Sequence, residues 1–164
     1  MSITHAELVD RARIWLARRC PVVATEVATA AEEIPDVIGW RGSTTLLVEC
    51  KASRSDFAAD RQKFFRGEPK YGMGYRRYYL TPPALVEFSE LPAGWGLLEL
   101  HGRGVRVIHE SSKFRERNVR DEALILVSLL RRIGGQAPLG VSIKCYTIQT
   151  KCTASLTVNT DCEQ

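Results

Sequence analysis

The chain has no apolar run that approaches the ~20 residues of a membrane-spanning helix. Its first residues show no basic region followed by an apolar stretch, so no secretory signal is expected. The five cysteines are odd in number and match no zinc spacing, and the three histidines (His5, His101 and His109) are not spaced as metal ligands. We therefore expect surface histidines, free thiols, a cytoplasmic location and no membrane partner.

What the chain does have is enough length to form a core. A single domain of 164 residues buries about 68–70% of its unfolded surface. The apolar share of 45% and the charged share of 26% are ordinary for a globular protein. A linker-like stretch at Pro138–Gly140 divides the chain into a main domain, 1–136, and a C-terminal strand or tail, 137–164, to which we assign no role.

Two short apolar runs, rich in β-branched residues, carry acids at their ends. The stretch Arg41–Thr44 between them is typical of a hairpin connection. With an even loop, Arg41 faces Thr44, and the same register sets Asp36 opposite Glu49, with Cβ atoms roughly 4.5–5.5 Å apart. Lys51, two residues beyond Glu49, points to the same face. An odd loop would instead separate the two acids onto opposite faces.

Such a pair of acids is costly without a cation. Two carboxylates about 5 Å apart repel by roughly 3 kcal/mol at an effective dielectric near 20. Mg²⁺ accepts one or two carboxylates and completes its shell with water and phosphate oxygens. The alternative is that Asp36 begins a strand while Glu49 and Lys51 form a surface ion pair.

The motif resembles a known nuclease core. Pro35-Asp36, a hairpin and Glu49-Cys50-Lys51 are similar to the PD-(D/E)XK nuclease superfamily, which includes type II restriction enzymes and archaeal Holliday-junction resolvases. The continuation from Ser53 to Asp60, S-R-S-D-F-A-A-D, resembles small bacterial and phage members related to the MmcB-like DNA-repair proteins. The resemblance covers residues 21–100. It implies an α/β fold with a restriction-endonuclease-like core, in which helices flank a mixed central sheet.

The resemblance also implies roles for these residues. Asp36, Glu49 and the backbone carbonyl of Cys50 would hold Mg²⁺, or Mn²⁺ in its place, and Lys51 would position or activate the attacking water. Ser53, Asp56 and Asp60 match the narrower family's pattern, although the two acids also suit the start of a helix. Resolvase-like members act as dimers, so a homodimer is one of the oligomeric states that the sequence leaves open.

A basic segment follows the acids. Residues 51–77 contain eight Lys or Arg and three acids, for a net charge of +5, whereas the remainder of the chain is −1. A local basic excess suits a polyanion, because each neutralised phosphate releases counterions. The candidate phosphate contacts are Arg54, Lys63, Arg66, Arg76 and Arg77.

A third acid is not decided by the sequence. Glu26 lies in an otherwise apolar strand, where it either completes the catalytic site or faces outward from an edge. Glu7 is the rival on the first helix, but its place three residues after Thr4 is already explained by a capping box.

The remaining elements follow from periodicity and from Gly and Pro punctuation. Helices are predicted over Thr4–Arg19, from Ser53 or Ser55 to Arg66, and over Asn118–Ile133. Beyond the acid-bearing hairpin, strands are predicted over Pro21–Ala28, Arg77–Leu80, Gly96–Leu100, Val105–Ile108 and residues 141–149.

Together these patterns favour a Mg²⁺-dependent deoxyribonuclease of bacterial or phage origin, most simply an endonuclease of DNA repair, recombination or phage DNA processing. Two alternatives remain open. One is a DNA-binding accessory protein that keeps the nuclease-like fold without catalysis. The other is a structural phage protein with no affinity for DNA.

Overall fold

The structure is a computed structural model that describes residues 3–133. Residues up to Leu129 form one compact unit, and residues 130–133 belong to a second unit of the chain. The predicted segment 137–164, with its strand over 141–149, lies outside the described residues. Within the described part, no helix is both long and apolar enough to cross a membrane.

One mixed sheet of six strands, flanked by helices, forms the centre of the fold, as predicted. The strands follow chain order across the sheet; β3–β4 and β4–β5 are parallel and the other pairs are antiparallel. The strands are β1 Val22–Thr25, β2 Val37–Arg41, β3 Thr44–Cys50, β4 Arg76–Thr81, β5 Gly96–His101 and β6 Gly104–His109. The helices are α1 His5–Ala17, α2 Arg54–Arg61, α3 Phe64–Gly67 and α4 Val119–Ile133, with short 3₁₀ turns at Pro69–Tyr71 and Phe88–Glu90.

The β2–β3 hairpin has the even register that the sequence predicts. Arg41 pairs with Thr44 and Val37 pairs with Val48 around a two-residue turn. Gly42 has φ +59°, which a residue without Cβ adopts at no steric cost. Continued by one step, the same register brings Asp36 opposite Glu49, where β2 begins and β3 ends.

Alternation along the strands gives the sheet two apolar faces. One face packs against α1, whose buried side chains include Leu8, Ala12 and Leu16. The other face packs against α2 through Phe57 and against α4 through Ile125. Glu49 therefore points to the α2 side of the sheet, since Val48 and Cys50 belong to the α1 side.

Helix α1 begins where the capping pattern predicts. Thr4 is the N-cap, and its hydroxyl oxygen accepts a hydrogen bond from the Glu7 amide at 3.2 Å. The helix ends at Ala17, slightly before the predicted Arg19, and the Arg19 and Cys20 amides donate to the Leu16 carbonyl. Because α1 begins at His5, the cap at Thr4 fixes the position of the His5 backbone.

The second predicted helix is wrong in its length. Ser53, and not Ser55, is the N-cap, and α2 ends at Arg61. Lys63 is extended (φ −63°, ψ 130°), after which the short helix α3 begins. Because the axis changes there, Arg66 turns back toward Asp60 instead of continuing along one helical face.

Strand β1 is also shorter than predicted. It ends at Thr25, since Glu26 adopts φ +48°, a left-handed conformation that interrupts an extended strand. The Glu26 amide still donates to the Asp36 carbonyl at 3.1 Å. Glu26 is thus tied through its backbone to the start of β2.

Candidate active site

Asp36, Glu49 and Lys51 converge at the end of the β2–β3 hairpin. The Lys51 Nζ lies 3.1 Å from Glu49 Oε2 and 3.7 Å from Asp36 Oδ2. The same Asp36 oxygen accepts a hydrogen bond from the Cys50 amide at 2.7 Å, which fixes the carboxylate beside the strand end. The predicted juxtaposition of the two acids and the lysine is confirmed.

Burial and the neighbouring charges together set the protonation of this cluster. The Glu49 side chain is 2% exposed. Burial raises its pKa to about 7, Arg66 opposes the rise, and Asp36 adds to it. Burial alone would lower the pKa of Lys51, but Glu49, Asp60 and Asp36 raise it above the ordinary 10.5. Lys51 is consequently an ammonium ion at neutral pH.

A buried ionic network supports the cluster from the α2–α3 side. Arg66 donates from Nε to Asp60 Oδ2 at 2.7 Å and also pairs with Glu33. Asp60 lies 3.5 Å from Lys51 Nζ and accepts a hydrogen bond from the Tyr79 hydroxyl at 2.7 Å. Asp60, one of the residues of the extended motif, therefore connects Lys51 to Arg66.

Glu33 is a member of this network that the sequence analysis missed. Its side chain is 2% exposed, and its Oε2 accepts a hydrogen bond from the Met73 amide at 2.6 Å. The available signal was its place in the loop before Asp36, but an acid in a loop is ordinarily a solvated residue. Glu33 is buried through its tertiary contacts with Arg66 of α3 and with the Met73 amide.

His5 is the other site residue that sequence reasoning missed. It was predicted to be a surface histidine, yet one ring nitrogen, Nδ1, lies 3.2 Å from the Cys50 carbonyl oxygen. Its Nε2 lies 3.6 Å from Asp36 Oδ1 and 3.9 Å from Glu26 Oε1. With 42% of its side chain exposed, His5 forms the open side of the cluster. No local pattern in the sequence indicates this position, because His5 and Cys50 are 45 residues apart in the chain.

The two candidate third acids differ in where they lie. Glu26 is on the open side beside His5, with 62% of its side chain exposed. Glu7 belongs to the first turn of α1, where its amide is capped by Thr4. Glu26 remains the candidate of the two.

Two of the five predicted phosphate contacts are wrong. Arg66 is 4% exposed and Arg77 is 1% exposed, so neither guanidinium is available to a ligand. Arg66 is used by the ionic network. Arg77 donates to the carbonyls of Gly74, Pro69 and Gly72, and thereby holds the loop that precedes β4.

The other three predicted contacts are accessible, but they are dispersed. Lys63 pairs with Asp60 at 2.8 Å and is half-exposed, next to the network. Arg54 is exposed and pairs with Glu90. Arg76 lies at the start of β4, at the opposite end of the sheet from Lys51.

Two residues of the extended motif have structural roles at the start of α2. Ser53 is the N-cap, and its hydroxyl oxygen accepts a hydrogen bond from the Asp56 amide. Asp56 occupies the first helical turn, where an acid interacts favourably with the helix dipole.

The donor atoms near Asp36 suit a hard cation. Glu49 Oε1 is buried and has no hydrogen-bond donor among the described residues, although Arg66 Nη2 lies 3.1 Å away. We regard that contact as an ion pair without hydrogen-bond alignment. The Glu49 and Asp36 carboxylates, which both approach Lys51 Nζ, and the backbone carbonyl of Cys50 provide oxygen ligands of the kind Mg²⁺ accepts.

The side-chain donors number two, however. Across residues 3–133 no group of three His, Cys, Asp or Glu side chains is arranged to hold a metal ion. A Mg²⁺ ion here would therefore rely on a backbone carbonyl, water and substrate oxygens for the rest of its shell, as Mg²⁺ sites commonly do.

Comparison with known proteins supports the fold alone. No protein-family model matches the chain, and no curated protein matches it. A solved structure, the SPO1766 protein of unknown function from Silicibacter pomeroyi, is similar with a TM-score of 0.54 and 20% sequence identity. The similarity covers 87% of this chain and 99% of that one. The same α/β architecture thus occurs in a second protein.

Proposed function

We propose that the protein is a divalent-cation-dependent deoxyribonuclease, most simply an endonuclease, of DNA repair, recombination or phage DNA processing. The observation that supports the proposal is the convergence of Asp36, Glu49 and Lys51 at the end of the β2–β3 hairpin. Two acids and an ammonium group beside a backbone carbonyl form a suitable donor set for metal-assisted phosphodiester hydrolysis. The sequence resemblance to PD-(D/E)XK nucleases points to the same chemistry.

Each side chain has a role that follows from its surroundings. Asp36, Glu49 and the Cys50 carbonyl would hold the cation, Mg²⁺ or Mn²⁺, which when bound polarises a phosphoryl oxygen and acidifies a water molecule. Lys51, as an ammonium ion, orients that water and stabilises negative charge on the phosphoryl group. An ammonium ion cannot accept a proton, so Lys51 does not act as the base in this state.

The neighbouring groups position the cluster. Asp60 and Arg66 are buried, and they hold Lys51 and Glu49 from the side away from solvent. His5 holds the Cys50 carbonyl from the open side. Half-exposed Lys63 would contribute a phosphate contact without sequence information.

A second candidate function is supported by a specific observation. The Lys51 ammonium lies within 3.7 Å of three carboxylates, those of Glu49, Asp60 and Asp36. An ammonium group whose charge is compensated by three carboxylates is suited to a structural role. A DNA-binding accessory protein with the same fold and no catalysis would retain these ion pairs.

A cleavage assay distinguishes the two functions. Supercoiled, linear, flapped and four-way DNA are incubated with the protein and Mg²⁺ or Mn²⁺, and the products are resolved on gels. We expect cleavage by the wild type and a loss of at least about a hundredfold in Asp36→Asn and Lys51→Ala. Asp10→Asn, which changes a half-exposed acid on α1, is the matched control and should cleave normally.

The cleavage results distinguish the nuclease from the accessory protein, provided that the melting curve of each variant shows that it is folded. Equal cleavage by the wild type, Asp36→Asn and Lys51→Ala would rule out this site as the source of activity. DNA binding without cleavage of any substrate would support the accessory protein instead.

We also propose a cytoplasmic location and a homodimeric state. Cys20 and Cys50 are buried free thiols, which a reducing compartment preserves. The dimer rests on the resemblance to resolvase-like nucleases, and sedimentation of the purified chain tests it.

A further inference from the structure

A cleft of about 460 Å³ lies away from the carboxylate cluster, where β3 and β4 begin. The residues that line this cleft, here called the arginine cleft, include Trp15, Arg19, Arg41, Arg76, Tyr78 and Glu110. The run from Thr44 to Lys51 separates the cleft from the lysine by about 20 Å of extended chain. The cleft is therefore a separate site.

Two of its three guanidinium groups are held in fixed positions. Arg19 lies 3.8 Å from the centroid of the Trp15 ring and donates to the Trp15 carbonyl at 2.8 Å. Arg76 donates to the Ser111 carbonyl at 2.5 Å. Each uses only part of its donor fork in these contacts, because an arginine offers five N–H groups. Rigid guanidinium groups bind anions without a large entropic loss.

The third guanidinium group, that of Arg41, has no partner among the residues that the structure describes. Arg41 is exposed at the end of β2, and no hydrogen bond or ion pair joins its side chain to any of residues 3–133. Arg41 and Arg19 line the same cleft. Burial raises the pKa of the neighbouring Cys20 thiol, and the charges of Arg41 and Arg19 oppose that rise.

The charge in the cleft is not balanced by its acids. Within the described part of the chain, Glu110 is the one acid that lines the cleft, and its carboxylate already accepts a hydrogen bond from the Tyr78 hydroxyl at 2.7 Å. It lies 3.8 Å from Arg76. Three arginines and one glutamate leave an excess of two positive charges around a concave surface, which is a suitable charge for a phosphate group.

We propose that the arginine cleft is a second binding site that takes phosphate-ester groups, with Arg41 and Arg19 as the principal contacts. The stacked Arg19–Trp15 pair offers a flat guanidinium face on which a nucleobase can stack. The ligand class is thus a nucleotide, either free or as part of a DNA strand. The DNA form of this proposal deepens the proposed nuclease function, because it adds a contact remote from the cleaved bond.

The test measures binding without cleavage. Fluorescence anisotropy with labelled single-stranded and duplex DNA is recorded in EDTA over a salt series, and calorimetry is recorded with a deoxynucleoside monophosphate and with inorganic phosphate. Arg41→Gln is the main variant, since no described contact of the fold depends on its side chain, and Arg19→Gln is the second. Arg13→Gln, an exposed arginine of α1 outside the cleft, is the matched control.

We expect Arg41→Gln to bind DNA about tenfold more weakly, because a hydrogen bond to a charged group is lost. Its plot of log affinity against log salt should be shallower by about 0.7–0.9, the value for one phosphate contact. The Arg13→Gln control should match the wild type in both quantities. Monophosphate binding that is weakened in the same variants would identify a free nucleotide as a ligand.

The failure of this inference can be told from the failure of the nuclease proposal. If the wild type cleaves and binds DNA, but both cleft variants bind DNA with unchanged affinity and salt dependence and no ligand titrates into the cleft, the arginine cleft is not a phosphate site. The wild type could instead neither bind nor cleave DNA, yet bind the monophosphate with an affinity that Arg41→Gln and Arg19→Gln reduce. The nuclease proposal would then be wrong, and the arginine cleft would be a site for free nucleotides.

Discussion

Three carboxylates surround the Arg66 guanidinium inside the fold: those of Asp60, Glu33 and Glu49. A buried guanidinium of this kind is stable only because several acids compensate for its lost hydration. The same contacts fix Glu49 and Asp60, which in turn touch Lys51. A residue assigned to phosphate binding from its charge therefore acts as the internal support of the candidate site.

Replacement of Arg66 should accordingly unfold the protein more readily. We expect Arg66→Met to lower the free energy of unfolding by about 3–5 kcal/mol, because it leaves buried carboxylates unpaired. Denaturant titration measures the change. Arg61→Met, on the exposed end of α2, is the matched control and should shift stability by no more than about 0.5 kcal/mol. A similar small effect in both variants would contradict the network.

Asp60 should make stability depend on acid. Burial alone would raise its pKa, but the hydrogen bond and charge of Arg66, together with Lys51 and Lys63, lower it below the ordinary 3.8. The unfolded chain thus binds the proton more readily than the native protein, so the stabilisation by Asp60 is present above about pH 4 and is lost as the pH falls below that value.

The comparison of wild type with Asp60→Asn isolates this contribution. The variant should have a lower free energy of unfolding than the wild type at pH 7. This difference should become smaller as the pH is lowered from about 4 toward the depressed pKa of Asp60 in the native protein. Denaturant titrations at a series of pH values give the two curves. A gap that stays constant over that range would show that Asp60 does not titrate as an ion-paired acid.

At the scale of elements, the break between α2 and α3 is what assembles the network. The apolar and charged pattern of residues 53–66 fits one helix, and nothing in it marks the extended Lys63. The break is favoured by tertiary contacts, since it turns Arg66 toward Asp60 and lets Phe57 alone pack into the core while Phe64 stays exposed. Local periodicity holds no information about such contacts.

The start of α2 provides a direct test of this local architecture. Ser53→Ala should lower the free energy of unfolding by about 1 kcal/mol, because the Asp56 amide loses its cap. Ser55→Ala is the matched variant, two residues further along the chain and inside α2, and should have a clearly smaller effect. Thermal or denaturant melts measure both. The reverse order would assign the cap to Ser55.

Elements whose signals are local are the ones that could be predicted. The hairpin register follows from the even loop at Gly42, and α1 begins at Thr4 as its capping pattern indicates. The burial of Glu33, the inward turn of Arg66 and the approach of His5 to Cys50 depend on contacts between residues far apart in the chain. The acid–lysine core of the site was thus accessible from sequence, whereas its supporting residues were not.

At the scale of the whole molecule, the carboxylate cluster and the arginine cleft lie at opposite ends of β3 and β4. The carboxylates and Lys51 gather where β3 ends, while Arg41 and Arg76 lie where β2 turns into β3 and where β4 begins. A DNA strand long enough to reach both regions would have its backbone bound by the arginine cleft, and under the nuclease proposal a cation would lie beside it at the carboxylate cluster. Because the two proposed sites lie at opposite ends of these strands, variants of one site can be tested while the other is left unchanged.

The cation itself should stabilise the whole fold if Asp36 and Glu49 bind it. A ligand at about one hundred times its Kd adds about 2.7 kcal/mol, which for a chain of this size raises Tm by several degrees. We expect Mg²⁺ to raise the Tm of the wild type and of Asp10→Asn, but not of Asp36→Asn, relative to NaCl at the same ionic strength. Equal shifts in all three proteins would mean that Mg²⁺ acts through general screening and that the carboxylate pair holds no cation.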